Sequence, residues 1–310
     1  MRLTKLALLT VFLIFPAGAA LAANACQLDI DADLPVTYVG GHIPVVTVEI
    51  RGQPVRLMVD TGASISFITP GAYNRLQLDQ TFHPHGDIVT GLGGSRPISA
   101  FALVDMDFGE VRLSDEVVAI FSKSQPDELG PNAIDGILGY DVLQYFDIGL
   151  DLPHNRITLY TPHHCTVTET PWPGDYAPTP FTRPRAASPV IQEAIDGQNF
   201  NATIDTGAAR SLIMQASLTR SGVTAEAEPA TAIGSGTAMA GLKVQVRRAQ
   251  FSTLDIGAEE FDNAWLTLDT TKETDLNQVS DGLLGEDYLS SHRVFIENWT
   301  DTAYLGLTGG

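Results

Sequence analysis

The sequence predicts an all-β protein made of two homologous barrel-like lobes in one chain, related by a pseudo-twofold axis. Three observations carry this expectation. The second half repeats the first in order and in register, each repeat is built from short stretches of alternating apolar and polar residues, and helical signal is confined to two short segments per repeat.

The repeat is read directly from the residues. VEIRGQPVRLMVDTGAS (48–64) returns as EAIDGQNFNATIDTGAA (193–209), pairing Gly52 with Gly197 and Asp60 with Asp205 at an offset of 145. Downstream, TGLG (90–93) returns as TAIG (231–234) at offset 141, and DGILGYDVL (135–143) as DGLLGEDYL (281–289) at offset 146. Ordered blocks separated by small offset changes are two copies of one unit with different loop lengths. Lobe 1 is expected over residues 26–160 and lobe 2 over 178–310. The Pro-rich, polar stretch 161–177 between them is expected to be an extended connector.

Within lobe 1, VVTVEI (45–50) and VRLMVD (55–60) alternate about a turn at Gly52, which places Val55, Leu57 and Val59 on one face. ISAFALVDMDFG and VRLSDEVVAIF read as further strands, and FDIGLDLPHNRITLY as a hairpin turning near Asn155. TPGAYNRLQL carries a helix start, with Thr69 as N-cap and Pro70 at the first position, and GYDVLQYF is the second helical segment.

Composition narrows the function classes. The 310 residues carry Lys+Arg 18 against Asp+Glu 37, a formal net charge of −19. Such a surface repels phosphate backbones, so nucleic acid is not an expected partner. The N-terminus has Arg2 and Lys5, a largely apolar run from Leu6 to Phe15, then Pro16, Gly18 and Ala20-Leu21-Ala22. This is the layout of a secretory signal peptide over residues 1–22, with cleavage as late as 25, and the run is too short to span a bilayer. The mature chain is expected to be exported, in the periplasm or beyond it. Its two cysteines, Cys26 and Cys165, can close one disulfide or stay as free thiols. Lipid attachment at Cys26 is disfavoured by Ala23, which stands where a larger aliphatic residue is usual.

An aspartate ending an apolar strand is costly unless something needs it there. Asp60 and Asp205 each end such a strand, and Gly62 and Gly207 follow with no Cβ to hinder the chain. If the lobes pack about a twofold axis, the two loops meet and two carboxylates face each other. Like charges that close share one proton, so one carboxylate can act as base on a water while the other donates to a carbonyl oxygen.

On these residues the sequence resembles the aspartic proteases. Asp60-Thr61-Gly62-Ala63-Ser64 and Asp205-Thr206-Gly207-Ala208-Ala209 look like the two catalytic loops of that family, and Ile137-Leu138-Gly139 and Leu283-Leu284-Gly285 like the segment crossing behind each loop. The resemblance covers nearly all of the mature chain. It implies a dyad of Asp60 and Asp205 with Thr61 and Thr206 locking the loops together. The short lobes, and Ala63 and Ala208 where pepsin-like enzymes usually carry a hydroxyl, make the chain similar to the retropepsin-like branch, an acid-protease fold with both lobes fused. The implied flaps are Gly91, Leu92, Gly93 and Gly94 in lobe 1 and Ile233, Gly234, Ser235 and Gly236 in lobe 2.

The expected function is thus an aspartic endopeptidase acting on extended polypeptide, with no cofactor and no metal, and monomeric because one chain supplies both aspartates. The alternative is an inactive envelope peptide-binding or scaffolding protein of the same fold. The unequal tails of the motifs, Ser64-Ile65 against Ala209-Arg210, mark the first asymmetry between the lobes. His83, His85, His163 and His164 read as exposed loop residues for want of a third ligand at fixed spacing, Asp135 and Asp281 as turn residues, and Asn201 and Asn298 match the glycosylation pattern.

Overall fold

A computed structural model describes residues 28–82, 86–91, 94–121, 134–162, 170–184, 188–224, 226–227, 234–237, 243–271 and 280–307. The signal segment, Cys26, Cys165, Leu92, Gly93, Ile233 and the four paired histidines lie outside the described residues.

Each lobe is built on a two-residue hairpin. Strand Ile43–Ile50 pairs antiparallel with Gln53–Val59, and Val190–Ile195 pairs with Gln198–Ile204. Both connecting turns need two residues with positive φ, which Arg51-Gly52 (54° and 68°) and Asp196-Gly197 (48° and 74°) supply. Alternation then divides the side chains. Val46, Val48, Ile50, Val55, Leu57 and Val59 enter the main core, while Val45 and Met58 join a separate apolar cluster on the other face.

The second strand of each hairpin lies parallel to a short strand from late in the same lobe. Gln53–Val59 runs beside Gly136–Leu138, and Gln198–Ile204 beside Gly282–Leu284. In lobe 1 the long strand Gly94–Asp107 pairs with Arg112–Phe121 and reaches back to Glu49 and Ile50. In lobe 2 two strands divide that work. Lys243–Gln250 pairs with Trp265–Asp269, and Thr253–Ile256 pairs with Val190–Ile195. Helices are short. Pro70–Arg75 starts where Thr69 Oγ1 accepts from Ala72 N at 3.2 Å, and Gln215–Ser221 stops at left-handed Gly222. Among the described residues no helix is long and apolar enough to cross a membrane.

Beneath the lobes lies an antiparallel sheet that takes strands from each end of both. Its order is Ile30–Pro35, Arg156–Tyr160, Asp147–Asp151, Val294–Glu297, Thr302–Gly306 and Tyr176–Thr182. The two halves meet where Gly149 pairs with Phe295, residues separated by the repeat offset of 146. A pair of equivalent positions facing each other marks the pseudo-twofold axis. The main core runs without a break from lobe 1 through this sheet into lobe 2.

Two further bonds cross between the lobes. The Tyr140 hydroxyl donates to Asn298, whose amide nitrogen donates to Phe146 O. Asn298 is therefore a buried interface residue, and the glycosylation pattern there falls on an amide already engaged. Tyr38 bonds to Glu286 across the lobes, and burial raises the Glu286 carboxyl to about 7 against the lowering effect of that bond.

Candidate active site

Each aspartate is placed by its strand and by the segment crossing behind it. Asp60 N donates to Leu138 O at 3.0 Å and Asp205 N to Leu284 O at 2.9 Å. One residue past each glycine, Tyr140 N donates to Ala63 O at 2.7 Å and Glu286 N to Ala208 O at 2.8 Å. Each loop is thus tied at both ends to the same crossing segment, in the two lobes alike.

The loops interlock across the axis. Thr61 N donates to Thr206 Oγ1 and Thr206 N to Thr61 Oγ1, both at 3.1 Å. The hydroxyls in turn donate to Ile204 O and Val59 O, both at 2.7 Å. Both threonines are fully buried, so these bonds work without competition from water.

The carboxyls sit just above, 8% and 9% exposed for Asp60 and Asp205. Asp60 Oδ1 accepts from Gly62 N at 3.0 Å and Ala63 N at 2.9 Å, and Asp205 Oδ1 accepts from Gly207 N at 2.8 Å. The glycines matter through close approach, not through a special turn, since neither has a positive φ. A Cβ on Gly62 would lie 2.4 Å from Asp205 Cγ, and one on Gly207 would lie 2.5 Å from Asp60 Cγ. Each carboxyl is packed against the other loop's glycine.

Burial raises both carboxyls above the ordinary aspartate range. The effects then diverge. On Asp60, burial is offset by the bond from Asp205 and by the N–H groups of Ala63 and Gly62. On Asp205, the Asp60 charge adds to burial and pushes the group well above its usual value. Two like charges this close and this buried share one proton, and the balance of these effects favours Asp205 as its holder.

A second pair of buried anchors went unread in the sequence. Ser66 donates from its N–H and its hydroxyl to Asp141 at 2.8 and 2.7 Å, while Gly139 N donates to Ser66 Oγ at 2.9 Å. In lobe 2, Ser211 donates both ways to Asp287 at 2.7 Å, and Gly285 N donates to Ser211 Oγ at 3.0 Å. The signal was present: Ser66 and Ser211 repeat at offset 145, and Asp141 and Asp287 at 146. These links hold the strand after each aspartate against its crossing segment.

Other expected residues fall into place in different ways. Ile137, Leu138, Leu283 and Leu284 are buried in the crossing strands. Asp135 accepts from Arg56 N at 3.0 Å and pairs with Arg75, and Asp281 accepts from Asn201 N and pairs with Arg220, well apart from the dyad's own bonds. Gly91 and Gly94 pair with each other as the last rung of an antiparallel strand pair. In lobe 2, Gly234, Ser235 and Gly236 lie along a strand paired antiparallel to Val246, Gln245 and Val244. Arg210 is exposed beside the Asp205 loop. Among the described residues no group of three metal-ligating side chains gathers.

Known proteins agree with this geometry. A family model described as aspartyl protease matches residues 46–142, and one described as gag-polyprotein putative aspartyl protease matches residues 191–291. Each match spans one aspartate loop together with its crossing segment. No curated protein sequence gives a significant match. Among solved structures, the crystal structure of aspartic proteinase from Irpex lacteus superposes with a TM-score of 0.55 over 90% of this chain and 97% of that one, at 15% identity, a likeness of fold. Two such domains in tandem, covering well over half of the sequence and folded as one all-β two-lobe acid protease, mean that the chain belongs to the aspartyl proteases.

Proposed function

We propose that the protein is an aspartic endopeptidase that cuts extended polypeptide segments, with Asp60 and Asp205 as its catalytic dyad. The observation that carries this is the pair of nearly buried carboxyls, each packed on the opposite loop's glycine. In the reaction, Asp60 in its charged form takes a proton from a water that attacks the scissile carbonyl carbon. Asp205 donates its proton to the carbonyl oxygen as charge builds there. Collapse of the tetrahedral species returns a proton to the leaving amine, and the dyad is restored. No covalent intermediate is formed, so no side-chain nucleophile is required. Thr61, Thr206, Gly62 and Gly207 hold the geometry, and the hairpins around Gly91–Gly94 and Gly234–Gly236 close over substrate and bind it as an added strand. The N-terminal signal supports export, with the periplasm as the favoured compartment, and the internal pseudo-dimer supports action as a monomer.

The test is incubation of the mature protein with an unstructured polypeptide from about pH 3 to pH 8, beside Asp60→Asn and Asp205→Asn. Hydrolysis by wild type and by neither variant supports the proposal. Peptide binding without hydrolysis anywhere in that range identifies a binding protein instead.

A further inference from the structure

The two walls of the cleft are built at equivalent positions from opposite chemistry. Beside Asp60 lies an apolar cluster that includes Met58, Phe67 and Ile137. Ala63 and Ile65 of the aspartate's own loop pack on it, as does Val89 at the root of the hairpin. It runs from the dyad to the hairpin, so its partly exposed flank of Ala63, Ile65, Val89 and Phe121 forms the lobe 1 wall for a substrate held over the dyad. Phe67 and Phe121 form its aromatic centre, with ring centroids 4.6 Å apart and edge to face.

The repeat and the strand registers give the matching wall in lobe 2. At offset 145, Met58 becomes Thr203 and Ile65 becomes the exposed Arg210, and at offset 146 Ile134 becomes Ser280. Thr203 and Ser280 are buried and joined, hydroxyl to hydroxyl, at 3.0 Å. Phe67 aligns with Ala119 as Leu212 aligns with Thr267, so two residues on Phe121 becomes Asp269. Alternation along Trp265–Asp269 sends Leu266 and Leu268 into the main core and leaves Thr267 and Asp269 on the other face, the one Phe121 occupies in lobe 1.

Asp269 is the informative residue. It is 2% exposed, and while Oδ1 accepts from Thr271 N at 2.8 Å, Oδ2 is buried without a hydrogen-bond partner among the described residues. A buried carboxylate oxygen left without a donor is costly, which marks a place where a donor is expected to arrive. Lobe 1 spends the same position on a phenyl ring, so the fold itself does not demand an acid there.

Resting on the peptidase reading, we propose that the enzyme selects an asymmetric pair of residues about the scissile bond: a large apolar or aromatic side chain against the lobe 1 wall, and a hydrogen-bond-donating polar side chain against the lobe 2 wall, where Asp269 receives it. Specificity of this kind arises because a buried acceptor rejects a side chain that cannot bond to it.

The experiment is cleavage-site profiling of a proteome-derived peptide library by mass spectrometry, with wild type, Asp269→Phe and Arg210→Ile. Wild type is expected to show apolar enrichment on one flank of the cut and polar enrichment on the other. Either substitution, each restoring the lobe 1 residue, should reduce the polar preference, about tenfold for Asp269→Phe, with the apolar flank unchanged. Arg210 is exposed, so that variant remains informative if Asp269→Phe fails to fold. Equal apolar enrichment on both flanks of wild-type cuts overturns the proposal, as does an unaltered polar flank in the folded variants. If wild type cuts nothing, the peptidase reading fails, and the walls are tested by calorimetric binding of peptides with central Phe–Gln, Gln–Phe or Phe–Phe pairs. One mixed order binding about tenfold more tightly than Phe–Phe supports the asymmetric cleft. Equal affinities overturn it.

Discussion

Thr61 and Thr206 form a closed ring of four hydrogen bonds across the pseudo-twofold axis, each hydroxyl accepting the partner's N–H at 3.1 Å and donating to the strand before the partner's aspartate at 2.7 Å. Each hydroxyl both accepts and donates, and the ring ties both aspartate loops to a common point.

Replacing either threonine by valine keeps the shape and strips one acceptor and one donor from a buried site. Thr61→Val leaves Thr206 N and Ile204 O unpaired, at roughly 1–3 kcal/mol each. The loss of melting temperature should be large, and kcat should fall by about 100-fold or more as the carboxyls lose register. Thr61→Ser keeps the hydroxyl and should retain most activity. Because both residues serve one ring, the Thr61→Val/Thr206→Val double variant should lose less stability than the two single losses added together. Calorimetry on the four proteins decides this, and strict additivity would count against a shared ring.

Gly62 and Gly207 give the second prediction. Alanine at 62 puts a methyl 2.4 Å from Asp205 Cγ, and alanine at 207 puts one 2.5 Å from Asp60 Cγ. Neither position has a strained backbone, so the folding cost stays near the 1–3 kcal/mol or so of ordinary overpacking. The displaced carboxyl is what matters. Steady-state kinetics should show kcat lowered by about 100-fold or more with near-native circular dichroism. An active Gly62→Ala enzyme would mean that the carboxyls do not approach the opposite glycines in solution.

How much of this was legible before the structure depends on the kind of information. Strand alternation, the hairpin turns at Gly52 and Gly197, the Thr69 cap and the pairing of Asp60 with Asp205 were legible because each is a local pattern stated twice. The Ser66–Asp141 and Ser211–Asp287 anchors also repeat, but an isolated serine has no period and no motif to announce it. Their meaning appears only when a short helix some 75 residues later is laid alongside. Register between strands is likewise not written in either strand alone, so the pairing of Gly234 with Val246 appears only in the structure. The division of the dyad's proton was out of reach of sequence, since it depends on how deeply each carboxyl is buried and on how each acts on the other.

That division sets the pH dependence. In the proposed mechanism activity needs Asp60 charged and Asp205 protonated. The acid limb of the rate profile follows Asp60 losing its charge as pH falls, and the alkaline limb follows Asp205 losing its proton as pH rises. Burial raises both groups, Asp205 the further. Both limbs are therefore displaced upward from the ordinary aspartate range, and the bell should be broad and centred above about pH 3. A kcat/KM profile that peaks below that value would show that the N–H donors to Asp60 outweigh burial. Asp205→Asn should abolish the alkaline limb of whatever residual activity remains.

Stability should respond to pH through a different acid, Glu193. It lies in strand Val190–Ile195 at the position where lobe 1 has Val48, on the face shared with the core residues Ile191 and Ile195. Burial, with the Asp281 charge adding to it, pushes its carboxyl from 4.5 up to about 8. Between those two values the folded protein holds a proton that the unfolded chain has released. Glu193 is therefore harmless below the lower value and costs stability as pH rises toward the upper one, at most about 1.4 kcal/mol for each pH unit. Glu286, raised to about 7, acts in the same direction, so the slope should not vanish when Glu193 alone is changed. Glu193→Val copies the lobe 1 solution. Thermal melts from pH 4.5 to pH 8 should show variant and wild type closest at the acid end and the variant progressively more stable toward the alkaline end. Glu193→Gln should flatten the curve without the added packing of valine. Parallel curves for all three proteins would mean that Glu193 is ionised in the folded state and finds a partner there.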